Sequence, residues 1–377
     1  MNILVIAHYQ GDGSPCAIFV HEQLKELVKS GNRVLVISPI AIGKKCNYSK
    51  YRLHSECVNI DCIVYVYLRH ISLSRLGEDG LNQRLTKTAL NHRIIKKIQK
   101  FKPEIIHVHT FGIDSGVGIF LKEKMGIPLV ITTHGSDLEI PMKDNKTEKI
   151  AYFIREADYI VTISDKLSRM VQMIYPDILV KTILNGCDIK KCKVAEKKRR
   201  SILFVGNLIS QKNANLVIKT YAKLKQKYSD FELTIIGDGI EKNKLQSLCK
   251  NYNINKDVVF TGRIPNKDVI EYMSNCEYFV MPSINEGFGI VYIEAMASGC
   301  ITVGTKGEGI DGFIINGENG FLCRPEEEEI YSVILKCEEN EVLRRSISQK
   351  AYEKAHLLTW KENAFEYLKL FEELLGL

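Results

Sequence analysis

Short apolar runs rich in Val and Ile recur along this chain, separated by stretches long enough for a helix, and the whole series occurs twice. In the first half the runs are ILVIAH (3–8), VLVIS (34–38), IIHVHT (105–110), LVITTH (129–134) and YIVTIS (159–164). Unbroken apolarity marks strands covered on both faces, as in a parallel sheet. Residues Phe19–Ser30 between the first two runs read as a helix closed at Gly31, since glycine accepts the left-handed conformation that ends helices. The second half repeats the plan with SILFVG (201–206), ELTIIGDG (232–239), VVFTG (258–262), YFVMPS (278–283), ITVGT (301–305) and GFLC (320–323). At 377 residues the chain exceeds what one core organises. The pattern predicts an α/β protein of two doubly wound, Rossmann-like domains in series.

The boundary falls at Lys190–Arg200, KKCKVAEKKRR, which is charged and has no periodic apolar face. We read 190–200 as a linker between a domain over 1–189 and one over 201–359. The last stretch places Trp360, Phe365, Leu368, Phe371 and Leu375 near helical spacing. No apolar run approaches the ~20 residues of a membrane span, and MNILVIAHYQ lacks a secretory start, so a cytoplasmic location is expected. The eleven cysteines include no CxxC, and His54, Cys57 and Cys62 fit no common zinc module. Reduced thiols and no bound metal are expected.

The charge excess of +7 is confined to residues 1–190, which hold 26 Lys+Arg against 19 Asp+Glu; residues 191–377 hold 26 of each. Residues 81–102 carry Arg84, Lys87, Arg93, Lys96, Lys97, Lys100 and Lys102 without an acid. Leu85, Leu90, Ile94, Ile95 and Ile98 among them allow either an amphipathic helix on anionic lipid or an ordinary solvated helix face. The bases are not interleaved with stacking aromatics, which argues against nucleic acid.

Doubly wound domains bind ligands at the carboxyl ends of their strands, and the cleft between the two is the expected site. After the first strand, GDGSPC lacks the third glycine of a dinucleotide fingerprint; Gly11 and Gly13 suit either an approaching phosphate or sugar, or a plain turn. THGSD places His134 and Asp137 at another strand end, and His107 and His109 share one strand face. The richest strand end follows YFVMPS: Glu286, Gly287, Phe288, Gly289, Ile290, then a helix carrying Glu294 and stopping at Gly299. A glycine-rich turn before a helix offers free amides and a dipole to a phosphate. Two carboxylates flanking it suit sugar and ribose hydroxyls. Without that context, Glu286 reads as a helix cap, Glu294 as a surface glutamate and Lys212 as a solvated helix-start residue. No DxD is present to hold a divalent cation.

Taken in order, EGFGIVYIEAMASG (286–299), LTIIGDG (233–239), VVFTGRIP (258–265), THGSD (133–137), ILNGCD (183–188) and NGENGFL (316–322) resemble the retaining GT-B glycosyltransferases with an E-x7-E motif. That family includes capsule, teichuronic acid and mannosyl transferases. The resemblance implies a GT-B fold in which the helix 360–377 completes the first domain. It implies Glu294 on the nucleotide ribose, Glu286 on the donor sugar, the Phe288 and Gly289 amides beside them, and Lys212 on the diphosphate. Gly206, Asn207, Gly237 and Ile290 would line the donor site, with Arg263 and Ile264 at the base and His134 near the sugar. It further implies metal-independent transfer with retention, without a cofactor, from a UDP-sugar to a lipid-linked or polysaccharide acceptor in cell-surface glycan synthesis, with peripheral attachment to the inner membrane face. Asn207 and Asn213 depart from it, standing where arginine and glycine are common. A sugar-nucleotide 2-epimerase and a weakly active donor-binding subunit are the alternatives.

Overall fold

The computed structural model describes residues 1–8, 18–42, 57–71 and 88–377. Gly11, Gly13, His54, Arg84, Leu85 and Lys87 lie outside the described residues. The chain forms two compact units: Met1–Ile163, Leu167–Gly186 and Trp360–Leu377 make the first, and Ser164–Lys166 with Cys187–Thr359 the second. Among the described residues no helix is long and apolar enough to cross a membrane.

The first unit is built on β1 (Asn2–Ile6), β2 (Arg33–Ile42), β3 (Cys57–Ile60), β4 (Ile63–Ile71), β5 (Ile105–His109), β6 (Leu129–Thr133), β7 (Tyr159–Thr162) and β8 (Val180–Thr182). Their order is β3-β4-β2-β1-β5-β6-β7-β8, parallel except for β3 against β4. Ile3, Leu4, Val5 and Ile6 of β1 are wholly buried, as an apolar run at the centre of a two-faced sheet must be. The chain winds outward in both directions from the β1/β5 neighbours. The helix Ile18–Lys29 is followed by Gly31 at φ 84°.

The closing helix Trp360–Leu375 buries Ala364, Tyr367, Leu370 and Phe371 in the first unit's core with Val20, Leu24 and Leu27. Polar bonds fix its register: Gln23 Nε2 donates to Asn363 Oδ1 (2.7 Å), and Asn363 Nδ2 to the Leu184 carbonyl (2.7 Å). Phe365, predicted on the apolar face, is half exposed under the Lys369 ammonium, 4.3 Å from its ring centroid.

The basic helix His92–Phe101 bears on the choice between a lipid-facing and a solvated helix. Asn91 caps it, its Oδ1 accepting from the amides of Arg93 (3.0 Å) and Ile94 (3.1 Å). Ile94, Ile95 and Ile98, with Leu90 before the helix, are buried in the protein, so among the described residues of 81–102 these apolar side chains are not available to lipid. Arg93, Lys96, Lys97 and Lys100 are exposed.

The second unit is a parallel sheet of β9 (Lys198–Val205), β10 (Glu232–Ile236), β11 (Val258–Gly262), β12 (Cys276–Val280), β13 (Ile301–Thr305) and β14 (Phe321–Cys323), ordered β11-β10-β9-β12-β13-β14. Residues 190–200 belong to it rather than to a free linker. Lys197 Nζ donates to the carbonyls of Met273 (2.8 Å) and Ser298 (2.6 Å). Arg199 Nη2 and Arg200 Nε both reach Glu338 Oε2 (2.9 Å), and Tyr278 donates to Glu338 Oε1 (2.6 Å). Charges that look solvated in the sequence are consumed by carboxylates 78 and 138 residues away, Glu277 for Arg199 and Glu338 for Arg200.

Candidate active site

In the second unit the winding direction reverses between β9 and β12, and the loops that leave these two strands are knitted together. The Ile284 amide donates to the Gln211 carbonyl (2.8 Å), and Asn213 Nδ2 to the Pro282 carbonyl (2.9 Å). Asn213 itself sits at φ 50°, a left-handed position that asparagine tolerates. This stitching brings Lys212 Nζ onto Glu286 Oε2 as a partly buried ion pair, with Ser283 Oγ donating to the same oxygen at 3.3 Å. Behind it the Glu286 amide donates to Glu308 Oε2 (2.9 Å), and the Gly309 amide to the Glu286 carbonyl (3.0 Å). A Cβ on Gly309 would fall 2.0 Å from the Gly287 oxygen, so only glycine lets these turns meet.

Phe288 turns its side chain into the core, 1 % exposed and edge-on to Phe313 at 6.3 Å. Its backbone alone is left at the turn. The helix Ile290–Ala297 starts after Gly289 (φ 81°) with no side chain capping it, so its first amides and dipole offer themselves to an anion. Glu294, in the second turn, accepts from Asn266 Nδ2 at 3.1 Å. Burial raises its carboxyl above the ordinary range, opposed by that hydrogen bond and by the Lys191 charge.

Three glycines end β9, β10 and β11 side by side. The Gly206 amide donates to the Ile236 carbonyl (3.0 Å) and the Gly237 amide to the Gly262 carbonyl (2.9 Å); a Cβ on Gly237 would lie 1.9 Å from the Gly206 oxygen. Side chains return with the next residues: Asn207, Asp238 and Arg263. Arg263 Nη2 donates to Asn207 Oδ1 at 3.4 Å. Ile264 follows, partly buried, before Pro265 and Asn266.

The first unit carries its own polar cluster. His109 Nδ1 and His134 Nε2 share a hydrogen bond (3.0 Å), their rings stacked at 5.3 Å, and the His107 ring lies 4.2 Å from that of His109. His107 Nε2 bonds Thr132 Oγ1 (2.9 Å), which bonds the Tyr367 hydroxyl (2.9 Å). Burial pushes His107 and His134 down to about 3, and His109 well below 6.5, so all three are neutral at pH 7. Asp137 holds the turn, its Oδ1 accepting from the His134 amide (3.0 Å) and Thr133 Oγ1 (3.0 Å) and its Oδ2 from the Phe111 amide (2.9 Å).

Residues 17–191 match the family described as Glycosyltransferase Family 4, and residues 188–354 match Glycosyl transferases group 1. The chain is a glycosyltransferase of the GT-B fold. An uncharacterized glycosyltransferase of Methanocaldococcus jannaschii is 28% identical over 72% of this chain and 76% of its own length. The N-acetyl-alpha-D-glucosaminyl L-malate synthase of Bacillus anthracis is 26% identical over 71% of this chain and 74% of its own. The Anabaena protein HepE, solved in complex with UDP, superposes with a TM-score of 0.77 at 19% identity, covering 99% of this chain and 100% of that one.

Of the residues singled out in the glycosyltransferase's sequence, Gly206, Lys212, Glu286, Gly287, Phe288, Gly289 and Ile290 converge where the β9 and β12 loops meet. Asn207, Gly237, Arg263 and Ile264 gather at the ends of β9 to β11, and Asn266 joins that group to Glu294. His134 lies in the first unit with His109. Sequence reading missed Asn266, Glu308 and Ser283. Each acts through one hydrogen bond to a residue already singled out, and a lone Asn, Glu or Ser in a loop carries no pattern of its own.

Proposed function

We propose that the second unit binds a nucleotide-diphosphate sugar, with UDP as the nucleotide, and that the enzyme passes the sugar to a lipid-linked or polysaccharide acceptor with retention of configuration. The observation that carries this reading is the Lys212–Glu286 ion pair beside an uncapped helix start, with Glu294 in the same helix. Lys212 and the amides at residues 288–291 would take the diphosphate, Glu286 the sugar hydroxyls and Glu294 those of the ribose. Support for UDP comes from HepE, solved with that nucleotide. Phosphate charge is met by protein groups in this scheme, so transfer would proceed without a divalent metal and without a cofactor. His134, neutral and hydrogen-bonded to His109, would act as an uncharged hydrogen-bonding group rather than as a cation. The exposed Arg93, Lys96 and Lys100 support electrostatic contact with an anionic membrane surface on the cytoplasmic side, without insertion.

A thermal-shift panel of sugar nucleotides in EDTA tests this. A donor at 100 times its dissociation constant should stabilise by about 2.7 kcal/mol, with UDP-sugars leading and the shift unchanged by chelator. A response to no sugar nucleotide, or only after a divalent cation is restored, would count against it.

A further inference from the structure

A nucleotide sugar carries one negative charge on each phosphate, whereas Lys212 is already shared with the Glu286 carboxylate. One ammonium so engaged does not balance two charges, and the loop that holds Lys212 points to a second cation. Its first residue after the glycine, Asn207, accepts from Arg263 Nη2, which reaches across from the end of β11 over the glycine that ends β10. A guanidinium has five donors in a rigid fork, and this bond engages one of them. Both side chains are exposed. Asp238, between them in the row of strand ends, has its oxygens on the Gly239 amide (2.8 Å) and Lys242 Nζ (3.5 Å), and the Gly239 bond, with the Lys242 and Arg263 charges, holds its carboxyl below the ordinary range. A phosphate at the guanidinium edge would meet an exposed side chain with donors that the Asn207 bond does not use.

We propose that Arg263, oriented by Asn207, is the second cation on the donor diphosphate, acting opposite Lys212; this rests on the nucleotide-sugar reading of the site. Asn207 is then a positioning residue whose oxygen fixes the fork, and the cation that residue 207 itself lacks arrives from the next loop but one. Arg263 thereby binds phosphate with its side chain, while the chain beyond it, from Ile264 to Asn266, leads to Glu294.

The test is calorimetric titration of the full chain with UDP, and with uridine by displacement of UDP. Arg263→Gln should weaken UDP by about ten- to a hundredfold, the range of a charge-assisted hydrogen bond, and leave uridine unchanged. Asn207→Ala should weaken UDP less, and Asn207→Arg placed on Arg263→Gln should restore most of the loss. Equal losses for UDP and uridine would put Arg263 on the base and overturn the proposal, as would unaltered UDP binding. If Glu294→Ala abolishes UDP binding while Arg263→Gln does not, the nucleotide site stands and the proposal alone falls. Wild-type protein that binds none of UDP, GDP or ADP removes both.

Discussion

Lys212→Met lowers kcat by about a hundred- to a thousandfold, the usual effect of removing one preorganised charge from a leaving group. Methionine keeps the length of the stem, so the loop after β9 retains its packing and only the ammonium is lost. The variant also strands the Glu286 carboxylate, whose side chain is 15% exposed and whose remaining partner at that oxygen is Ser283. Part of the loss therefore comes from an unpaired acid facing the phosphates. Adding Glu286→Gln to Lys212→Met should cost less than the two single effects combined, because the partners are coupled. Strict additivity in steady-state kinetics would show that the ion pair has no role in turnover.

Lowering the pH from 7.5 to 4.5 destabilises the first unit by about 5 kcal/mol through His107 and His134 alone. Both are held to about 3 by burial, while an unfolded histidine titrates near 6.5. A depressed histidine is neutral in the fold, so the unfolded chain takes up protons first. Stability is complete above pH 6.5 and declines from there toward pH 3, at about 1.4 kcal/mol per unit for each ring. Asp137, raised by burial, works in the opposite direction once its folded form begins to protonate, which happens before the unfolded form does, and offsets part of the decline. The sole tryptophan, Trp360, is buried in the first unit and reports it directly. Urea titrations followed by its fluorescence should show the loss, and His107→Gln should flatten it; equal stability at the two pH values would refute the neutral cluster.

The parallel core was legible because each buried strand is a continuous apolar run, as in ILVI of β1. The edge was not. The hairpin of β3 and β4 begins with Cys-Val-Asn-Ile, partly exposed and without a distinctive run, and β8 is three residues of which none is buried. Within the site, the two glutamates and Lys212 stood out because a motif fixes their spacing. Pairings set by tertiary contact did not: Asn266 meets Glu294 from 28 residues away, and Arg263 meets Asn207 from 56. The stretch 190–200 misled for the same reason, since Glu277 and Glu338, the acids that bind Arg199 and Arg200, lie far along the chain. His107 and His109 were visible as a pair on one strand face, but the bond to His134 belongs to the neighbouring strand.

The most direct test of the site as a whole separates the two glutamates by titrating UDP and a UDP-sugar into wild type, Glu286→Gln and Glu294→Ala. Glu286→Gln should bind UDP at least as tightly as wild type, because Lys212 no longer has a competing carboxylate, and should lose the extra affinity contributed by the sugar. Glu294→Ala should lose affinity for both ligands. Unchanged binding in Glu294→Ala, or an equal loss of UDP in both variants, would contradict the assignment of ribose to one end of this helix turn and sugar to the other.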